Sequence, residues 1–218
     1  MGNINFDMTL AELTAVVMSI LILSGYHAYL TVRIRRNPNA TSLGLTRHIR
    51  RQWVRVILRE NAGILGVQSL RNQVMASSFL ASTAILIAIG AANAALNPSF
   101  FQEISHSLNF FGTHSKALWS IKLLLMSANF FFSFFSFVLA IRYYNHAGFC
   151  IGIPINSDPV ITSNFVSDVL DHGSLHYFLG MRGYFFSLAL ALWLFGPEWL
   201  LGGTLIVIAV LIPFDRRA

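Results

Sequence analysis

Few of the 218 residues carry side chains able to do chemistry, and most of those are far apart. His172 and His176 stand four residues apart, which puts two imidazoles on one helix face, with Asp168 one turn earlier. The first chemistry to weigh is therefore a metal site. Such a site needs a third ligand at a defined spacing, and the chain has neither an HExxH pattern nor a further ligand so placed. His172 and His176 are the metal candidates, but no metal, haem or other cofactor is expected. The nine acids are scattered, only Asp168 and Asp171 lying close together, and no glycine-rich phosphate loop or nucleophile elbow occurs. An enzyme is not expected. Cys150 is the single cysteine, which excludes an intrachain disulfide and says nothing of the redox compartment.

A second group of residues is defined by where its charges fall. Arg71, Lys122, Arg142 and Arg182 stand within or at the edge of apolar runs. Each alone reads as a side chain that reaches back to the membrane surface. Together, Arg71, Arg142 and Arg182 fall at the same ends of three successive apolar runs, with Asn72, Asn145, Gln68 and His176 beside them. That pattern predicts a basic, polar vestibule able to select anions, bind lipid phosphates or hold helix ends together. The expected anion- or lipid-binding set is Arg71, Asn72, Arg142, Asn145, Arg182 and Lys122. His27, beside Tyr26, reads as a hydrogen-bonded interior residue.

The elements that must position these residues follow from composition. With 55% hydrophobic and 11% charged residues and a mean hydropathy of +0.62, the chain is an integral membrane protein, because a soluble domain carries about a quarter charged residues. Spans are expected at about 9–30, 74–96 and 117–141, each near the twenty apolar residues a bilayer needs. Residues 180–214 would make a helix of about 50 Å, too long for a core of about 30 Å. Pro197 in "FGPEW" favours two helices there, about 176–196 and 198–214, over one kinked helix. The expected fold is all-α: one polytopic helical membrane domain of four to five transmembrane helices plus an interfacial amphipathic helix.

That amphipathic helix is expected at about 42–66. Leu45, Ile49, Trp53 and Ile57 recur every four residues, and Arg47, Arg51, Arg55 and Arg59 do the same about 200° away. A line of like charges at i, i+4 destabilises a helix unless something anionic lies beside it. Inner-leaflet headgroups are the simplest source, which makes Arg47, Arg51, Arg55, Arg59 and Trp53 membrane-surface residues. Nucleic acid is not an expected partner. Nine arginines against Glu60 alone between residues 31 and 71 place that loop in the cytoplasm. The N-terminus is then outside and, with five spans, Arg216 and Arg217 are inside; the expected location is a bacterial inner membrane. The first helix reads as an uncleaved anchor, and Phe6 argues against myristoylation at Gly2.

Ala84, Ala88 and Ala92, with Ala81 and Ala95, make one face of the second span nearly flat, so it should pack closely on protein. "ANFFFSFFSF" surrounds the third span with phenylalanine, suited to lipid or large packed interfaces. The expected function is a homo-oligomeric channel or transporter-like protein whose vestibule handles anions or the headgroups of anionic lipids. The alternative is an accessory or scaffold subunit of a larger membrane complex.

The stretches "VQSLRNQVMASSFLASTAILIAIG", "IKLLLMSANFFFSFFSFVLAIRYYNHAGFCIGIP" and "HYFLGMRGYFFSLALALWLFGP", with "GYHAYL" and "RRNPNATSLG", resemble the integral-membrane family known as domain of unknown function 599. The resemblance covers nearly the whole chain and is most specific at Arg-Asn-x-x-Met-Ala-Ser-Ser and Arg-x-x-Asn. It implies a small helical membrane protein with a polar set matched here by Arg71, Asn72, Lys122, Arg142, Asn145 and Arg182. About activity it implies nothing.

Overall fold

The computed structural model describes residues 10–36, 41–97, 116–154 and 159–216. The readings of Gly2, Phe6 and Arg217 lie outside them. The chain forms α1 (Leu10–Arg36), α2 (Ser42–Arg59), α3 (Gly63–Leu96), α4 (Lys116–Ile151), α5 (Ser163–Leu192), a single 3₁₀ turn (Trp193–Phe195) and α6 (Pro197–Asp215). Among the described residues there is no strand. Four stretches are long and apolar enough to cross a membrane: Glu12–Ile34, Gly63–Leu96, Ala117–Ile151 and Pro197–Asp215. The protein is a multi-pass, all-α membrane protein. α5 is as long but carries Asp168, Asp171 and Arg182, and it is not among the four.

Local chemistry sets the boundaries. Thr41, in extended geometry, caps α2 by accepting a hydrogen bond from the Gly44 amide at 3.3 Å. Asn61 ends it: its φ of 51° is left-handed, Ala62 N donates to Ile57 O at 3.0 Å, and Asn61 N donates to Leu58 O at 3.4 Å. This paired return is a Schellman motif with asparagine where glycine is commoner. It closes α2 at Arg59, whereas the apolar periodicity had suggested 66. The freed residues join α3, whose 34 residues make about 51 Å and so overrun the hydrocarbon by several turns. α4, with 36 residues, overruns it likewise. Gly196 divides the last apolar run with a φ of 146° that only glycine adopts readily, and Pro197 opens α6 where a missing amide costs nothing.

The chain forms two compact units. The first takes the described residues of 1–32, 85–131 and 183–215. One of its cores joins Ala189, Trp193, Leu200, Val207 and Leu211, with Val16 and Tyr26 of α1 against them. Gly203 makes that packing close, since a Cβ there would stand 3.0 Å from the Ala189 Cα. A second core joins Ala95, Trp119 and Leu123. The flat face of α3 is used in this unit: Ala88 is fully buried, and Ser127 of α4 donates to its carbonyl at 2.8 Å. Small side chains here admit another helix of the same chain.

The second unit takes the described residues of 33–84, 132–182 and 216–218. Its core joins Val54, Ile57 and Leu58 of α2 to Leu70 of α3, Ala140, Tyr144, Ala147 and Ile151 of α4, and Val166 and Leu170 of α5. Gly63 and Gly66 let α3 start against the end of α4, a Cβ at Gly63 meeting the Ile151 carbonyl at 3.1 Å. Gly180 lies against the buried Phe137 ring, with no room for a methyl group.

Because Ala88 is enclosed within the chain, Ala88→Leu is expected to destabilise the fold itself by about 1–3 kcal/mol through overpacking. A lower melting temperature of the detergent-purified protein checks this. Wild-type stability accompanied by a changed association state would mean that the face serves another copy instead.

Candidate functional site

The arginine stripe of α2 finds its anion inside the protein. Arg47, Arg50 and Arg51 all reach the carboxylate of Asp171 on α5. Arg47 Nε donates to Oδ2 at 2.8 Å, Arg50 Nε and Nη2 donate to Oδ1 at 3.2 and 3.1 Å, and Arg51 Nε donates to Oδ2 at 2.9 Å. Arg51 also donates to Asp168, one turn earlier on α5, and Arg50 Nη1 donates to Ser174 Oγ at 2.7 Å. Two carboxylates and a hydroxyl on one face of α5 thus offset a row of like charges that α2 would not tolerate alone.

The electrostatics follow from this crowding. Burial by itself would raise the Asp171 carboxyl; hydrogen bonds from Arg47 and Arg51 and the nearby Arg50 outweigh it and hold the group below its ordinary 3.8. Arg51 is raised above its already high value, chiefly by its hydrogen bond to Asp171. Charge neutralisation is incomplete, since three guanidiniums face two carboxylates. Arg47 remains 60% exposed, and Arg55 and Arg59 stay open to solvent, Arg59 at 4.0 Å from Glu60.

Beside the cluster is a cavity of about 560 Å³. Arg47, Arg50, Arg51, His48, Asp171, His172 and Ser174 line it with polar groups, and Ile34, Leu43 and Leu175 with apolar ones. His172 Nδ1 lies 2.7 Å from the Asp168 carbonyl, which can only accept, so Nδ1 carries a hydrogen. The Tyr143 ring stacks on both His172 and His176, each at 5.5 Å between centroids. The i, i+4 pair is held on an aromatic face, and among the described residues no group of three or more His, Cys, Asp or Glu is placed to hold a metal ion.

The six residues expected to bind anions or lipid stand on α3, α4 and α5. Arg71 and Asn72 on α3, and Arg142 and Asn145 on α4, are exposed, and among the described residues no hydrogen bond or ion pair joins them. Arg71 precedes a run to Leu96 that measures about 37 Å, enough to cross a hydrocarbon core of about 30 Å. Arg142 stands nine residues before the end of α4. Arg182 is buried, with its guanidinium 4.5 Å from the Phe178 ring. Lys122 belongs to the other unit, where it is buried and donates to Glu12 Oε1 at 3.0 Å.

The membrane-surface set divides as well. Arg47 and Arg51 bond carboxylates of α5, Arg47 remaining largely exposed, and Arg55 and Arg59 are exposed and, among the described residues, without such bonds; Trp53 packs on the core of the second unit. Arg50, Asp171, Ser174, His48 and Glu12 were not singled out by sequence as binding residues. The one signal for the first two was that Asp168 and Asp171 are the only close pair of acids, at a helical spacing that matches the arginines of α2.

A family model described as "Protein of unknown function, DUF599" matches residues 14–218. No curated protein and no solved structure matches the chain.

Two outcomes test the site's construction. A carboxyl depressed on folding contributes stability above its unfolded pKa and loses it as pH falls through the lower folded value. Wild-type melting temperature is therefore expected to hold from neutrality and to drop below about pH 4, whereas Asp171→Asn starts lower and lacks that step. Arg71→Lys, at an exposed position with no fork to satisfy, is expected to keep wild-type yield and melting temperature; a loss equal to that of Arg71→Ala would reveal a bidentate partner.

Proposed function

The chain belongs to the DUF599 family, whose description assigns no activity, and from its geometry we propose a transporter-like membrane protein that takes the phosphate of an anionic lipid headgroup into the cavity beside α2. One observation carries this reading: three guanidiniums against the single carboxylate of Asp171 line a cavity of about 560 Å³ that Ile34, Leu43 and Leu175 also line. A basic lining suits a phosphate, which accepts several charge-assisted hydrogen bonds at once. Apolar lining residues suit the glycerol and upper acyl carbons that follow it. The setting agrees, since the two long apolar helices that carry Arg71 and Arg142 also contribute to this unit. In the cytoplasmic orientation suggested by arginine bias, the cavity meets the leaflet richest in anionic lipid.

Homo-oligomerisation and the accessory-subunit alternative both drew on the alanine face of α3. That face is covered by the chain's own α4, so neither gains support from it.

The test uses delipidated protein in mild detergent, titrated with phosphatidylglycerol or phosphatidylcholine and followed by thermal shift and native mass spectrometry. Phosphatidylglycerol is expected to bind about tenfold more tightly, and Arg47→Gln to remove most of that preference, as loss of one charge-assisted contact implies. Equal binding of the two lipids, or an unaltered preference in Arg47→Gln, would overturn the proposal.

A further inference from the structure

The first unit contains a second polar arrangement, independent of the arginine cavity. Glu12, Ser19 and Tyr26 are spaced by seven along α1, which returns each to nearly the same face with a rise of about 10.5 Å. That face points into the protein: Glu12 and Ser19 are buried, and Tyr26 packs against the core of Trp193, Leu200 and Leu211. At one end Glu12 accepts a hydrogen bond from Lys122 of α4, whose ammonium also stands 5.2 Å from the centre of the Trp193 ring. At the other end the Tyr26 hydroxyl donates to Asp215 of α6, and the His27 ring adjoins Tyr26 edge-on at 5.6 Å. Between these ends Ser19 Oγ is buried with no hydrogen-bond partner, and so is Nε1 of Trp193, the ring that Lys122 faces.

Those two atoms decide the reading. A dry, unpaired buried polar atom costs about 1–3 kcal/mol, and native proteins avoid the cost by holding ordered water there. Ser19 stands midway between Glu12 and Tyr26, which lie about 21 Å apart along α1, most of the way across a hydrocarbon core of about 30 Å, and water is the partner that its buried hydroxyl and the Trp193 indole call for. Ionisable groups within membrane-spanning helices commonly mark proton relays.

We propose that the inner face of α1 is a proton path. Glu12, freed from Lys122 on protonation, passes the proton to water held by Ser19 and Trp193, and the file delivers it to Tyr26 and Asp215. Each hop breaks one O–H bond and makes another, so no oxidant, reductant or co-reactant enters. Asp215 returns the proton to solvent, and Lys122 re-forms its bond to the Glu12 carboxylate. The path takes protons as its ligand, and Lys122 excludes other cations by occupying the carboxylate in the resting state.

The experiment reconstitutes the full chain in vesicles carrying an internal pH dye, with a potassium gradient and valinomycin supplying the driving potential. Wild-type vesicles are expected to change internal pH roughly tenfold faster than protein-free ones, and Glu12→Gln and Asp215→Asn to fall to the protein-free rate. Ser19→Ala separates a path from a structural role. It removes a buried oxygen that bonds no protein group, so its melting temperature should equal or exceed wild type while its proton rate falls several-fold. A wild-type rate equal to that of protein-free vesicles, or wild-type rates in Ser19→Ala and Glu12→Gln, would overturn the proposal.

Discussion

The second unit depends on one carboxylate. α2 carries arginines at i, i+4 along its length, an arrangement that disfavours a free helix and gives it no reason to lie against a further helix of its own chain. Asp171 changes both terms. Three guanidiniums converge on its two oxygens from one face of α2, so the repulsion becomes attraction and the helix is pinned to α5 in a single register. Once pinned, Val54, Ile57 and Leu58 turn inward and join the buried side chains of α3, α4 and α5. The cavity adjoins the same cluster, with Arg47, Arg50, Arg51 and Asp171 all among its lining residues.

The first unit solves its charge problem differently. Glu12 and Lys122 are both buried, so each would be costly alone. Their hydrogen bond, with the Trp193 ring against the ammonium, removes the penalty of an unpaired charge without making the pair a source of net stability. Packing supplies that instead. Alanines on α3 and glycine on α6 bring backbones close enough for dispersion contacts and for a side-chain bond such as Ser127 to the Ala88 carbonyl. A costly ion pair kept inside such packing calls for a reason beyond stability, which is why it invites a functional reading.

What was legible in sequence was local. Apolar run length marks the membrane helices, and Gly-Pro at 196–197 marks the break before α6 because each residue restricts backbone geometry without reference to anything distant. The end of α2 was equally local but was misread. The apolar stripe runs through it, and the stop lies in "RENAG", where Asn61 takes the left-handed position before Gly63. The site was less legible because its contacts are long-range. Arg51 and Asp171 are 120 positions apart, and Glu12 and Lys122 are 110 apart. Charge spacing alone required an anion beside the arginines, and that requirement was sound; its source was assigned to lipid for Arg47 and Arg51, where α5 supplies it.

The arginines of α2 thus fall into two classes with different consequences. Arg50 and Arg51 are largely enclosed and meet carboxylates, so their charge is spent on holding helices together. Arg47 is shared between Asp171 and solvent, and Arg55 is exposed. An incoming phosphate therefore need not displace the internal carboxylate to find a guanidinium. It can add to the rim of a cluster whose interior stays neutralised, with Arg47 the group that faces both. A protein with so few acids can thus carry a strongly basic helix: two carboxylates stabilise it, and the remaining positive charge is left exposed.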